Sequence, residues 1–130
     1  MAQIKLKPKV KSLITKALRG QLDGVKYIQA IGKLHTPDNK FCVLGVICDV
    51  HHKYAPKKDR AEWEVHNSRD AKYYHGEAFG LPRVVSKWLG IEYTGSLKLE
   101  FKGNYESIMA LNDTYKLSFN ELADMIEEQL

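Results

Sequence analysis

The segment FCVLGVICDVHH, residues 41–52, is the most apolar run of the chain, and the arrangement of the rest depends on it. Its apolar residues leave little polar face, so the element must be buried on nearly every side. The run extends from Phe41 to about Tyr54, which is longer than a typical buried strand and favours a helix. Gly45 and the β-branched residues favour a strand instead. We therefore predict a buried central helix, with a strand as the alternative.

The same segment contains residue types that elsewhere bind metals or act as nucleophiles. On a helix Cys48 and His52 share a face, but Cys42 points away, and no CxxC or HxxxH pair completes a zinc site. A disulfide is disfavoured, because six helical residues separate the two cysteine Cα atoms by roughly 9 Å and a bridge needs about 7 Å or less. Burial raises a thiol pKa instead of activating it. We predict reduced, buried core cysteines, with no metal and no cofactor.

Local signals outside this segment predict three further helices. Pro8 begins the first, which carries an apolar stripe at helical spacing. Pro82 and Gly90 bracket a short helix, and Ser118 with Glu121 forms a capping box that begins the closing one. Residues 105–113 have the pattern of a further helical turn or two.

Strand signals are shorter and lie between the helices. Val25, Tyr27 and Gln29 alternate as strand residues do, residues 36–40 are typical of a turn, and residues 61–79 indicate a small hairpin. Residues 96–102 alternate apolar and charged side chains between two glycines. Together these patterns predict an α+β fold with a small antiparallel component, as a single compact domain over residues 1–130.

Composition limits the classes of protein. The 130 residues are 44% hydrophobic and 28% charged, which is ordinary for a globular domain. No apolar run approaches the ~20 residues that cross a bilayer. Two cysteines and no secretory signal predict a cytoplasmic protein with free thiols.

The net charge of +4 hides an asymmetry along the chain. Residues 1–40 carry nine Lys or Arg against two Asp, a net +7, whereas residues 100–130 carry two Lys against seven Asp or Glu, a net −5. A basic end attracts polyanions, and the two ends could also meet within one chain or between chains. A homo-oligomer is therefore left open.

The sequence resembles an uncharacterised family of small proteins met in phage and bacterial sequences. The family pattern is Tyr-x-Gln, then Cys-Cys-Leu-Gly-Val-Leu-Cys-Asp, then Leu-Pro with a Trp, and a closing Leu-Asn-Asp. This chain matches it at Tyr27, Gln29, Cys42, Leu44, Gly45, Val46, Cys48, Asp49, Leu81, Pro82, Trp88, Leu111, Asn112 and Asp113. Val43 stands where the pattern has its second cysteine, which supports packing over chemistry for these thiols. The resemblance implies a phage or prophage origin but brings no activity.

Our leading functional prediction is a non-enzymatic accessory protein that binds and sequesters a small anionic, nucleotide-like ligand, such as a nucleotide-derived host defence signal. Aromatic side chains stack on bases, Arg pairs with phosphate, and Asn or Asp reads base or ribose edges. The predicted ligand-binding residues are polar and aromatic positions outside the periodic core: Tyr27, Gln29, Trp63, Tyr73, Tyr74, Arg83, Asn112 and Asp113. For each of them, a place in the core, in a turn or on the solvated surface is the alternative.

Two other functions stay open. The first is non-specific nucleic-acid binding through basic residues of the N-terminal segment: Lys5, Lys7, Lys9, Lys11, Lys16 and Arg19. The second is a small hydrolase that takes its acid–base groups from Asp49, His51, His52 and His75, although no spacing pairs them. No membrane partner is predicted.

Overall fold

A computed structural model describes residues 5–65 and 70–130. The helices are α1 (Pro8–Leu18), α2 (Val43–Tyr54), α3 (Arg83–Leu89), α4 (Ile108–Asp113) and α5 (Phe119–Gln129). The strands are β1 (Ile28–Gln29), β2 (Lys40–Phe41), β3 (Glu64–Val65), β4 (Lys72–Tyr73), β5 (Lys98–Phe101) and β6 (Asn104–Ser107). Two 3-10 turns occupy Lys57–Asp59 and Thr94–Ser96.

The central apolar segment is a helix, as predicted, and it forms the middle of the core. Nine consecutive residues of α2, from Val43 to His51, are buried. Gly45, which favoured a strand in the sequence, has a packing role instead. A Cβ atom at this position would lie 1.6 Å from the carbonyl oxygen of Leu34. The missing side chain lets the chain before β2 lie directly against the helix.

The first and last helices pack against each other beside α2. Each buries its apolar stripe, with Ile14 and Ala17 on α1 facing the core together with Leu122 and Ile126 on α5. The predicted capping box at the start of α5 is present. Apolar burial of this kind is the main source of helix stability in a protein.

The basic and acidic ends of the chain meet within the molecule. Arg19 Nη2 lies 2.7 Å from Asp124 Oδ1 and 3.1 Å from Glu127 Oε2. The backbone N–H of Leu6 also donates to the carbonyl oxygen of Leu130 at 3.0 Å. Part of the N-terminal charge is therefore neutralised by α5.

His35 connects the two small pairs of strands next to α2. β1 and β2 pair in parallel, and β3 and β4 pair antiparallel. His35 forms antiparallel bridges with both Phe41 and Lys72, so it lies between the two pairs. The predicted 61–79 hairpin is confirmed as the β3–β4 pair, and its predicted turn falls mostly on residues 66–69, outside the described ranges. The strand predicted around Val25 and Gln29 is real but short.

The prediction of a helical turn at residues 105–113 is wrong over its first part. Asn104–Ser107 is β6, which pairs antiparallel with β5, and the helix begins only at Ile108. Lys102 and Gly103 form a two-residue loop with φ of 51° and 85°. Two consecutive positive φ angles are characteristic of the tight hairpin turn that matches the twist of its strands.

The architecture is α+β, with helices around a buried central helix and small sheets, as the sequence predicted. The short helix α3 lies between Pro82 and Gly90, and Gly90 adopts the left-handed conformation with φ of 84°. Within residues 5–65 and 70–130, no helix is both long enough and apolar enough to pass through a bilayer.

Candidate ligand pocket around Asp49

One face of α2 and the segments packed on it enclose a pocket of about 270 Å³, which we call the Asp49 pocket. The helix contributes Asp49, His52 and Lys53, which share a face because they are spaced i, i+3 and i+4. The other walls come from the segment before β1, from β2 and its preceding loop, and from the residue before β3. The residues that carry its chemistry are Tyr27, His35, Phe41, Asp49, Lys53 and Trp63.

The carboxylate of Asp49 is buried and receives three donors. Asp49 is only 7% exposed. Its Oδ1 accepts from Trp63 Nε1 at 3.1 Å, and its Oδ2 accepts from the Tyr27 hydroxyl at 2.5 Å. Lys53 Nζ lies 3.2 Å from the same Oδ2. A carboxylate has about four acceptor positions, so one position at Oδ1 has no donor among residues 5–65 and 70–130.

Tyr27 and Lys53 are coupled to this carboxylate and to each other. Burial raises the pKa of Tyr27, and the hydrogen bond to Asp49 raises it further, so the hydroxyl keeps its proton and donates. Lys53 Nζ lies 5.7 Å from the centre of the Tyr27 ring, a cation–π distance. The Lys53 side chain is 37% exposed, so its ammonium can also reach a ligand.

Aromatic rings form the walls beside the carboxylate. The His35 ring stacks on Phe41, with centroids 3.9 Å apart and planes at 21°. Trp63 meets His35 edge to face at 4.7 Å, and Tyr27 meets Phe41 edge to face at 4.9 Å. Each ring therefore holds its neighbour in place, which preorganises the wall for a planar ligand.

Two histidines of the pocket each use one ring nitrogen in a hydrogen bond to the protein and leave the other ring nitrogen without one among the described residues. His35 Nε2 lies 2.7 Å from the Asn39 side-chain oxygen, while its Nδ1 is buried without a partner among the described residues. Burial lowers the pKa of His35, so the ring is neutral near pH 7. His52 Nδ1 donates to the Ala61 carbonyl oxygen at 2.7 Å, because a carbonyl can only accept. Its Nε2 is then left for another partner.

Three of the predicted ligand-binding residues form a separate polar cluster, which we call the Asn112 junction: Gln29, Asn112 and Asp113. Asn112 is 1% exposed. Its Oδ1 accepts from Gln29 Nε2 at 2.8 Å and from the Val43 backbone N–H at 3.1 Å. Its Nδ2 donates to the Ala30 carbonyl oxygen at 3.0 Å and to Asp113 Oδ1 at 2.7 Å.

The other two members of the junction also bond to the backbone. Gln29 Nε2 donates to the Leu117 carbonyl oxygen at 2.8 Å, and Asp113 Oδ1 accepts from the Gly32 N–H at 3.0 Å. The junction therefore ties the β1 segment to the start of α2 and to the chain after α4. These hydrogen bonds give the three side chains a structural role.

The remaining predicted ligand-binding residues are dispersed. Tyr74 is fully buried, and its hydroxyl shares a 2.6 Å hydrogen bond with His51 Nδ1 in the core. Tyr73 lies in β4 and is half-buried. Arg83 is exposed at the start of α3, outside the Asp49 pocket. Of the eight predicted positions, the structure brings Tyr27 and Trp63 together in this pocket.

The basic N-terminal residues differ in exposure and in partners, and two of them, Lys5 and Lys11, line one groove. Lys7, Lys9 and Lys16 are exposed, whereas Lys11 is half-buried. Lys5 donates to the Gln129 carbonyl oxygen at 3.3 Å, and Arg19 binds α5 as described above.

The groups of the hydrolase alternative serve different partners. Asp49 faces Tyr27 and Trp63, His51 faces Tyr74, and His75 Nε2 lies 2.9 Å from the carbonyl oxygen of Asp59. No nucleophile and base are paired among them.

The two cysteines lie free and buried in the core, where burial raises the pKa of Cys42 to about 11 and the pKa of Cys48 well above its usual value. In the described parts of the chain, no three His, Cys, Asp or Glu side chains are grouped so that they could hold a metal ion.

Sequence reasoning missed His35, Phe41 and Lys53 as pocket residues. One signal was present, because Asp49 is a carboxylate inside the most apolar run and a buried charge needs partners. The identity of those partners depends on how distant segments fold onto α2, and the sequence pattern does not show that.

Together, these features define a small α+β domain whose aromatic pocket is built on a buried central helix. Residues 6–130 match the family described as a domain of unknown function, DUF8296, and the chain belongs to that family. Neither the curated proteins nor the solved structures contain a match to this chain.

Proposed function

We propose that the Asp49 pocket binds a small, planar, anionic ligand of nucleotide type and holds it unchanged. One observation carries the proposal, namely that a buried carboxylate, with one acceptor position unused by the described residues, lies among aromatic rings that pack against one another. Two lysines line the same pocket, Lys26 and Lys53, and both are exposed. The pocket therefore combines ring faces, an acceptor and cations within a small volume.

Each of these groups complements one part of a nucleotide. Phe41 is buried against His35, whereas the half-buried rings of Trp63 and Tyr27 can offer a face or an edge to a base, and stacking contributes about 1–3 kcal/mol per base. Asp49 Oδ1 can accept an N–H from the edge of that base, and Lys26 and Lys53 can pair with phosphate. A volume of about 270 Å³ is near the lower end for ligand sites. One base would fill it, with the phosphate at the rim.

The arrangement supports binding over hydrolysis. Three donors already occupy Asp49, so the carboxylate is poorly placed to take a proton from a water molecule. The histidines of the hydrolase alternative bond to separate partners. A pocket of this kind sequesters its ligand.

We extend the proposal to the biological setting. The resemblance to phage and bacterial sequences supports a phage or prophage protein that acts in the host cytoplasm. There it would bind a nucleotide-derived signal of host defence and lower its free concentration. Small phage proteins achieve such effects more readily by binding than by catalysis, because binding needs fewer positioned groups.

The experiment is a retention assay. The protein is mixed with nucleotide extract from phage-infected cells, separated from unbound material, denatured by heat and analysed by mass spectrometry. We expect an intact nucleotide to be released, and we expect that nucleotide to raise the melting temperature as its concentration rises. A cleaved product would make the protein an enzyme, and retention of no nucleotide would refute the proposal.

A matched pair of variants locates the site. Lys26→Gln with Lys53→Gln removes two charges from the pocket, whereas Lys9→Gln with Lys16→Gln removes two exposed charges from α1. The pocket variant should bind the recovered nucleotide at least tenfold more weakly than wild type, and the α1 variant should bind within about twofold of it. Equal loss in both variants would place the ligand elsewhere.

A further inference from the structure

A second surface gathers positive charge from three separate segments of the chain. We call it the basic groove, and it is defined by Lys7, Lys58, Arg83, Lys87 and Trp88, with a volume of about 660 Å³. Lys7 precedes α1, Lys58 lies in the first 3-10 turn, and Arg83 and Lys87 belong to α3. All four cationic side chains are exposed.

The four cations of this groove form no ion pair within the described parts of the chain. Arg83 and Lys87 are four residues apart on α3, and like charges at this spacing destabilise a helix. Asp59 is the one acidic residue among those that line the groove. In the described ranges, the recorded ion pairs involve Arg19, Lys40 and Lys53 and none of the four groove cations.

Trp88 adds an aromatic surface at the centre of this charge. The indole is half-buried and packs edge to face against the buried His51 ring, with centroids 5.2 Å apart and planes at 84°. His51 belongs to α2, so this contact anchors the indole to the central helix. A fixed and partly exposed indole among cations is the arrangement on which an unpaired base stacks.

A groove of similar size elsewhere on the molecule has the opposite charge. Its volume is about 570 Å³, and it is lined by four carboxylates, Glu100, Glu121, Asp124 and Glu128, with a single lysine. The field of the molecule therefore directs a polyanion towards one face.

We propose that the basic groove binds single-stranded nucleic acid, with phosphates along the four cations and a base on Trp88. This site is independent of the nucleotide pocket proposed above. Of the six cations that the sequence suggested for polyanion binding, only Lys7 belongs to it. A duplex would offer the same phosphates, but its bases are paired and stacked internally, so the indole would be unused.

The test measures the fluorescence anisotropy of a labelled oligothymidylate about 12 nucleotides long, within the usual site size. Four phosphate contacts predict that affinity falls about 50-fold between about 50 and 200 mM salt. The groove variant carries Lys58→Gln, Arg83→Gln and Lys87→Gln. The control variant carries Lys9→Gln, Lys16→Gln and Lys40→Gln, three exposed lysines outside the groove. Circular dichroism checks that both variants are folded.

The groove variant should lose at least tenfold more affinity than the control variant, and its salt slope should fall by about two. Quenching of tryptophan fluorescence on binding should persist in Trp63→Phe and disappear in Trp88→Phe. Equal losses in the two charge variants would overturn the proposal. Binding of duplex as tight as binding of the single strand, or quenching that survives in Trp88→Phe, would also overturn it.

Discussion

The Asn112 junction and the Asp49 pocket are both polar clusters inside an apolar fold, but they differ in what their side chains bind. The junction directs its amides and carboxylate to backbone groups at Ala30, Gly32, Val43 and Leu117. In the pocket, Asp49 bonds to side chains, and those side chains come from three different segments.

This difference separates, among the eight predicted ligand-binding residues, those that hold the backbone in place from those that lie beside the pocket. Side chains that satisfy buried backbone groups stabilise the chain path, and their removal leaves those groups unpaired. Side chains that bond to one another beside an opening can exchange a partner for a ligand. The hydrogen bonds of Gln29, Asn112 and Asp113 give these residues a structural role, and the proposed binding role rests on Tyr27 and Trp63.

The largest expected effect tests the structural half of this comparison. Asn112→Ala removes four hydrogen bonds and leaves the Val43 N–H and the Ala30 carbonyl without a partner inside the protein. We expect the free energy of unfolding to fall by about 3 kcal/mol or more, measured by urea denaturation.

The matched control is Asn120→Ala, an exposed amide in the first turn of α5, which should change the stability by less than about 0.5 kcal/mol. If Asn112→Ala were as mild as its control, the junction would not be structural, and its residues would return to the list of binding candidates.

The second prediction concerns His51, which lies in the core behind Trp88. Burial, together with the nearby charge of His75, lowers the pKa of His51 to about 4. The unfolded chain, with a histidine pKa near 6.5, therefore binds more protons than the folded chain between about pH 6.5 and pH 4. Stability is complete above pH 6.5 and should fall by up to about 3 kcal/mol as the pH drops to 4.

Urea midpoints measured across this range provide the test of His51. His51→Asn keeps a polar partner for the Tyr74 hydroxyl and does not titrate, so its midpoints should depend less on pH than those of wild type. His75→Asn removes only the nearby charge and leaves His51 buried, so its midpoints should depend on pH slightly less than those of wild type and more than those of His51→Asn. A pH dependence that is identical in all three proteins would show that His51 is not buried as a neutral group.

The third and smallest effect tests the pocket half of the comparison. Tyr27→Phe removes one donor from Asp49 and should lower the free energy of unfolding by about 1.5–3 kcal/mol, since the acceptor is charged. Tyr54→Phe is the control, because Tyr54 donates to Asp23 at an exposed site where water replaces the bond. We expect no measurable change for that variant.

The nucleotide recovered in the retention assay extends this comparison. If the pocket binds as proposed, Tyr27→Phe should change its affinity for that nucleotide, whereas Asn120→Ala should not. An affinity that is unchanged in Tyr27→Phe would place the ligand away from Asp49.

Most of the helical framework could be predicted, because its signals are local. Pro8, Pro82 with Gly90, and Ser118 with Glu121 each mark a helix end through backbone chemistry within a few residues. β6 was missed because its strand signal follows a Lys-Gly turn, which is a weaker hairpin signal than Asn-Gly.

The pocket could be predicted only in part. Tyr27 and Trp63 were anticipated as aromatic residues outside the periodic core, and Asp49 was noted as a polar residue in the apolar run. The contacts that join them span 22 and 14 residues of sequence. No local pattern predicts pairing at such separations, and the same limit hid the roles of His35 and Lys53.

The close approach of the Leu34 backbone to Gly45 also determines the spacing between two walls of the Asp49 pocket. Gly45 and Asp49 are one helical turn apart, about 6 Å along the axis. The distance between the Leu34 backbone and the helix therefore sets the distance between the neighbouring His35 ring and the Asp49 carboxylate. The absence of a Cβ atom at Gly45 thus sets the spacing between α2 and the segment that contains Leu34 and His35. Any larger residue at position 45 would push the Leu34 backbone, and His35 with it, away from the helix.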